Sequence, residues 1–187
     1  MAEYYFDIET YSPADKPNSE TDKIITIQFQ RIDLRAGKPK GNLVILKEWE
    51  SSEREILEKF IKDSKIASNY AFDFIPTGYN LGFEHNFLKE RTALHSMTPV
   101  DILNKPYLDL RAFGILMNKG EFKGSGLDKI SGKTSDGSII PTWYKNKEFD
   151  KIVKYVEDEA KSFIQLNAWL HKEMPKFLER FKAENKI

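Results

Sequence analysis

The 187-residue chain contains no cysteine. That excludes disulfides, zinc ribbons and thiol chemistry, and it fits a reducing cytoplasm, where the protein is expected. Neither sign of charge is in excess: 29 Lys and Arg stand against 29 Asp and Glu. Bulk electrostatic attraction to nucleic acid is therefore missing, and any polyanion must be held by a local patch or by metal ions. No apolar run approaches the roughly 20 residues that a membrane helix needs, so no membrane partner is expected. The opening Met-Ala-Glu-Tyr-Tyr-Phe-Asp lacks a basic segment followed by an apolar one, which argues against a signal peptide. His85, His95 and His171 are scattered without zinc-ligand spacing. There is no internal repeat, and no nucleophile elbow of the form Gly-x-Ser-x-Gly. Ser131-Gly132-Lys133-Thr134 imitates the end of a phosphate-binding loop, but the first glycine of that motif would fall on Leu127.

What is present suits a soluble globule, with 40% hydrophobic and 31% charged residues. Its length predicts a single domain over residues 1–187, with a helical extension at about 172–187. Residues 3–9 and 23–32 and then Leu43 to Leu46 read as three strands of an antiparallel meander, separated by a Gly-Lys-Pro-Lys-Gly turn at 37–41. In the second strand Ile25, Ile27 and Phe29 alternate with Thr26, Gln28 and Gln30, the pattern of a half-buried strand. Ser52 with Glu55 forms a capping-box signature ahead of a helix that buries Ile56, Leu57, Phe60 and Ile61. Phe74 to Tyr79 is a strand that Pro76 confines to an edge or to a strand start. A helix from about Gly82 to His95, a weak strand at Tyr107 to Leu110 and a glycine-rich loop over 119–138 come next. A long helix runs from near Glu148 to about Leu170, with Pro175 separating it from a shorter basic helix. The expected fold class is α/β, a mixed sheet flanked by helices.

Three segments carry possible chemistry. Asp7 and Glu9 lie two apart on the first strand and share a face, with Tyr4, Phe6 and Ile8 on the other. Paired carboxylates of this kind repel and call for a hard divalent cation, unless the strand end lies in solvent. Asn80-Leu81-Gly82-Phe83-Glu84 enters a helix; Asn80 can cap it, and Glu84 complements the helix dipole. Phe83, Phe87 and Leu88 have core spacing. In the long helix the apolar stripe is Phe149, Ile152, Val153, Val156, Ala160, Phe163 and Ile164. Glu159 falls on its edge, one turn after Tyr155, while Asp158 points to solvent. Lys119, Lys123, Lys129 and Lys133 lie near Phe122, followed by Trp143, Tyr144 and further lysines. Such a loop can grip a single strand by phosphate contacts and stacking, or it can be an ordinary solvated surface.

In this order the three segments resemble the DEDD 3′–5′ exonucleases. The tyrosine subtype, found in the proofreading domain of family-B DNA polymerases, is the nearer likeness, because Tyr155 stands four residues before Glu159 and a histidine subtype would need His at Lys154. The resemblance spans residues 3 to about 170, without a polymerase domain, so a free-standing exonuclease is expected. That family usually has aspartate where this chain has Glu84 and Glu159. The resemblance implies a ribonuclease H-like fold and hydrolysis of single-stranded ends, DNA preferred over RNA. It also implies two Mg²⁺ or Mn²⁺ ions, about 3.5–4 Å apart in such sites. Asp7, Glu9, Glu84 and Glu159 would hold the ions, Tyr155 would position the attacking water, and Thr10, Asn80, Phe83, Lys123 and Lys129 would contact substrate. The alternative, from another class, keeps the fold as a binding module for nucleic acid or protein, with catalysis lost.

Overall fold

The computed structural model describes residues 2–14, 16–131 and 137–185. Among them, β1 (Glu3–Tyr11), β2 (Lys23–Ile32) and β3 (Val44–Lys47) pair antiparallel as a meander. β4 (Ile75–Gly78) and β5 (Leu108–Asp109) extend the sheet in parallel from the other side of β1, giving the order β3-β2-β1-β4-β5. The helices are α1 (Glu53–Ser64), α2 (Leu81–Leu94), α3 (Arg111–Met117), α4 (Leu127–Ser131), α5 (Ile140–Lys145) and α6 (Phe149–Asn185). This is the expected α/β class: an antiparallel meander, then parallel strands, flanked by helices.

β1 is the axis of the molecule, since it is paired on both edges. Its alternation divides the interior. Phe6 and Ile8 face one way and pack with Ile56, Leu57 and Phe60 of α1 and Leu81, Phe87 and Leu88 of α2. Tyr5 faces the other way, against Phe163 of α6, with ring centroids 4.9 Å apart. Asp7 and Glu9 share the α6 side by the same period of two.

The register of β1 with β2 slips once, from Glu9 opposite Thr26 to Thr10 opposite Ile24, so that Ile25 is the extra residue of a β-bulge. This corrects the simple alternation read from the sequence. Ile24, Ile27 and Phe29 remain in the α1/α2 core, but Ile25 packs with Ile140, Ile152, Tyr155 and Val156 on the α6 side. The polar side of β2 is not solvated either: Thr26 and Gln28 are both 0% exposed. Elements packed on the α6 side of the sheet cover them.

Pro76 sits at the start of an internal strand, not an edge. Ile75 N donates to Ala2 O and Leu110 N donates to Gly78 O, so alternate residues of β4 serve β1 and β5. Pro76 therefore turns its missing donor toward β5, which begins only opposite Thr77. Gly78 ends the strand in close approach to β1. A Cβ there would meet Phe6 O at 2.8 Å.

Three further readings change. α6 continues unbroken through Pro175, which is exposed, so residues 172–185 prolong the same helix instead of forming a second one. α3, α4 and α5 occupy stretches that carried no helical expectation. Gly132, Lys133, Thr134 and Asp136 of the glycine-rich stretch lie outside the described residues. Among the described residues no helix is long and apolar enough to cross a membrane.

One buried ionic hub ties β2, α1 and α2 together. Ser52 caps α1 by accepting from Glu55 N at 3.2 Å, as the sequence implies. In the first turn, Glu53 accepts from Ile24 N at 2.8 Å, from Arg91 Nε and a terminal guanidinium nitrogen at 2.9 and 2.7 Å, and meets His95 Nε2 at 2.9 Å. Burial alone raises this carboxyl, but Arg91, His95 and the Ile24 N–H override it and hold it below the usual range. A carboxyl held low when folded contributes stability above its unfolded pKa and loses it as pH falls through the folded value. Glu53→Gln should therefore cost about 3 kcal/mol near neutrality, because it leaves Arg91 without its buried partner. Urea denaturation followed from pH 7 down to 3 should show that gap shrinking with acid; a gap that stays constant would mean Glu53 does not act through its charge.

Candidate metal and active site

The central strand and the long helix bring three distant carboxylates together. Asp7 and Glu9 of β1 and Glu159 of α6 each present an oxygen, all within 4.8 Å of one another. α6 reaches this place because Ile152, Val156, Ala160 and Phe163 are buried as one stripe, leaving Glu159 half-buried on its edge. Asp158, next in the chain, is exposed and pairs with Lys154 at 3.8 Å.

Glu84, in the first turn of α2, joins from the other side of Asp7. It is 4% exposed, and its Oε2 has no hydrogen-bond partner among the described residues. Burial, then the charge of Asp7, pushes its carboxyl well above the usual range, with Asp109 adding to the effect. That buried Glu84 oxygen, beside Asp7 but outside the group of three, adds to a hard-oxygen donor set. The residues present fit a divalent cation such as Mg²⁺ or Mn²⁺.

Tyr155 is buried beside this cluster. Burial first, then the charges of Glu9 and Glu159 and a hydrogen bond to Glu159, drive its hydroxyl far above the ordinary tyrosine value. Ile25, Ile152 and Val156 pack around its ring, and Trp143 meets it edge-on at 6.4 Å between centroids. Trp143 and Tyr144, read from the sequence as stacking rings on a basic loop, are instead packed on α5. Tyr144 donates to Glu48 Oε2 at 2.5 Å and meets the Tyr11 ring at a tilt, 4.8 Å between centroids.

A cleft of about 570 Å³ opens at the cluster, lined by Glu9, Thr10, Ser12, Phe83, Ser138 and Pro141 among others. Thr10 and Phe83 thus reach the cleft wall. Phe83 is half-buried: it also packs against the α1/α2 core, as helical spacing implies, with its ring tilted against Phe87 at 4.8 Å between centroids. Lys123 and Lys129 are exposed and do not line the cleft, and Lys129 pairs with Asp128 at 3.3 Å.

Asn80 makes no side-chain cap for α2. It sits in the left-handed region at φ 75°, which asparagine tolerates, and Asp109 supplies the cap from β5. Asp109 accepts from the Asn80, Leu81 and Arg111 N–H groups at 2.8–2.9 Å. Sequence reading missed Asp109 because its strand is two residues long. It also missed Thr26 and Gln28, whose polarity looks like a solvent face, and Tyr5, whose hydroxyl donates to Asp7 Oδ2 at 3.3 Å.

No known family's sequence profile matches the chain, and a search of curated proteins finds no significant match. Solved structures do match. The family B DNA polymerase of the hyperthermophilic archaeon Pyrobaculum calidifontis superposes with a TM-score of 0.67 at 18% identity, over 93% of this chain and 24% of that one. The fold is ribonuclease H-like. A 3′-exonuclease recognising the histone mRNA stem-loop matches with a TM-score of 0.63 at 10% identity, over 92% of this chain and 64% of its own. Exonuclease I in complex with an inhibitor matches with a TM-score of 0.60 at 11% identity, over 97% of this chain and 43% of that one. The chain thus spans less than two thirds of each of these structures.

Tyr155 and Tyr5 offer a check on the cluster's electrostatics without any cation. Both hydroxyls are raised, first by burial and then by the surrounding carboxylates. The folded protein holds these protons more tightly than the unfolded chain, so the two groups favour folding below about pH 10 and lose that contribution as pH rises above it. In an alkaline titration, tyrosinate absorbance for these two should appear only with unfolding. Tyr155→Phe should leave the part of the curve that titrates reversibly unchanged; a drop in that part would place Tyr155 in solvent.

Proposed function

We propose that this protein is a metal-dependent 3′–5′ exonuclease of the tyrosine DEDD type, acting on single-stranded ends, DNA in preference to RNA. The observation that carries the reading is the convergence of Asp7, Glu9 and Glu159 to within 4.8 Å, with Glu84 beside Asp7, on a fold shared with 3′-exonucleases. These four carboxylates would hold two Mg²⁺ or Mn²⁺ ions. Bound there, the ions supply a nucleophile from water at neutral pH and neutralise charge at the phosphate.

The chain's own residues do the rest. β1, paired with β4 over Glu3–Tyr5 and with β2 through Asp7 and Glu9, carries both carboxylates on one strand, as a precise donor set requires. Tyr155 stays protonated, and its hydroxyl, bonded to Glu159, lies beside Gly137 of the cleft wall. It would orient the attacking water. The cleft, walled by Thr10 and Phe83, would take the 3′-terminal nucleotide, with the Phe83 ring as a stacking surface. Asn80, at the turn into α2, would contact the strand backbone.

End-labelled single-stranded DNA and RNA, incubated with Mg²⁺, Mn²⁺ or chelator, test this directly. Shortening from the 3′ end, abolished by chelator and by Asp7→Asn, is expected. Tyr155→Phe should leave DNA affinity nearly unchanged and lower kcat about 10- to 150-fold, the equivalent of one hydrogen bond to a charged group made mainly in the transition state. Equal loss in affinity and turnover would make Tyr155 a substrate clamp.

The two glutamates give a further expectation. Each is one methylene longer than the aspartate usual in the resembling family and pushes its carboxylate farther from the backbone. Mg²⁺ demands near-ideal octahedral geometry, so activity should be weak and stronger with Mn²⁺. Glu84→Asp with Glu159→Asp should raise the Mg²⁺-supported rate. Full Mg²⁺ activity in the native chain, lost in the double variant, would show that the backbone has receded to accommodate glutamate. Strand binding without cleavage under any metal would mark the protein as a binding module.

A further inference from the structure

We infer that Gln28, backed by Thr26, is a positioning residue that sets the carboxylate of Asp7 for cation binding; this rests on the metal-site reading above. In the β1–β2 register Gln28 stands opposite Asp7. Gln28 Nε2 donates to Asp7 Oδ2 at 2.7 Å, and Thr26 Oγ1 donates to Gln28 Oε1 at 2.9 Å. Both residues are 0% exposed.

The chemistry fixes the direction of this chain. An ionised carboxylate only accepts, so the amide nitrogen must face Asp7 and the amide oxygen must face Thr26. That oxygen is buried, so the Thr26 hydroxyl has to donate to it. The hydroxyl thereby prevents the amide from turning over and presenting oxygen to oxygen. Tyr5 adds a weaker donor to the same Asp7 oxygen at 3.3 Å. Asp7 thus meets the cluster with its plane held from behind by donors on two strands.

A packing role alone does not explain these residues. The neighbouring strand positions on the opposite face are filled by Ile27 and Phe29, and an apolar residue at 28 would be buried on its own face without desolvating an amide. The cost of burying glutamine and threonine here is offset by the bonds that end on Asp7. Groups of this kind behind a metal ligand orient it, and their loss typically weakens metal affinity about 10–100-fold.

The test uses Mn²⁺ alone, without nucleic acid, on the full chain. Titration calorimetry gives the affinity, and urea unfolding in chelator gives the metal-free stability. Gln28→Met keeps the length and removes the donor; it should weaken Mn²⁺ binding about 10–100-fold. Thr26→Val keeps the shape and frees the amide to turn; it should weaken binding in the same direction by less. Gln30→Met, two residues along β2 where the side-chain amide donates to Gly41 O, should change nothing.

Native-like Mn²⁺ affinity in Gln28→Met overturns the inference. So does an affinity loss in Gln28→Met that is matched by lost metal-free stability while Thr26→Val binds normally, because Gln28 is then only a packing residue. If Gln28→Met fails to fold, Thr26→Val decides: weakened binding at native stability supports the positioning role, and unchanged binding removes it. A native protein that binds no Mn²⁺ overturns the metal-site reading itself, and this inference with it.

Discussion

Mutual repulsion among carboxylates is the constraint around which this molecule is arranged. Asp7, Glu9 and Glu159 lie within 4.8 Å of one another. At the effective dielectric of about 20 suited to sites near a protein surface, one pair of unit charges at that spacing repels by about 3.5 kcal/mol. Three such pairs rival the whole net stability of a domain, about 5–15 kcal/mol. Such a cluster survives only if its members are held by something stronger than their own preference. Here the holding comes from the pairing of β1 with β2 at Asp7 and Glu9, from donors aimed at Asp7 by Gln28 and Tyr5, from the hydrogen bond between Tyr155 and Glu159, and from the buried stripe of α6 that places Glu159 on its edge.

The fourth carboxylate is placed by a helix clamped at both ends. At its start, α2 is capped by Asp109 from β5, which takes up the free N–H groups of Asn80 and Leu81. Near its end, Arg91 and His95 close on Glu53 of α1. Gly78 lets the chain leave β4 against Phe6 before turning into the helix. Glu84 is therefore not a first-turn acid resting in solvent against a helix dipole. It is carried into the interior by contacts that span α1, α2, β2 and β5, and its oxygen is left unsatisfied there.

What could be read from the sequence follows the range of the interactions involved. The pairing of Asp7 with Glu9 follows from the period of a strand, and that of Tyr155 with Glu159 from the pitch of a helix, so both were legible. The Ser52 capping box is equally local. Ile25 was misplaced because a bulge is a property of two strands, and nothing within Lys23–Ile32 announces it. Thr26 and Gln28 alternate with apolar residues just as solvent-facing residues do; elements from far along the chain, packed on that side of the sheet, bury them. Asp109 lies in a strand too short to show any period. Pro175 reads as a break, yet it sits on an exposed face where the helix tolerates the loss of one backbone bond.

The absence of net charge now acquires a physical consequence. The described residues lining the cleft include Glu9 but no lysine or arginine. With 29 charges of each sign over the whole chain, no general field draws a polyanion toward it. A phosphodiester approaching Asp7, Glu9 and Glu159 meets three gathered carboxylates, which oppose it. On the exonuclease reading, cations held by those carboxylates would supply attraction at the cleft, so that cation binding precedes productive substrate binding. On that reading the 3′-terminal nucleotide would be held at the cations and against the Phe83 ring of the cleft wall.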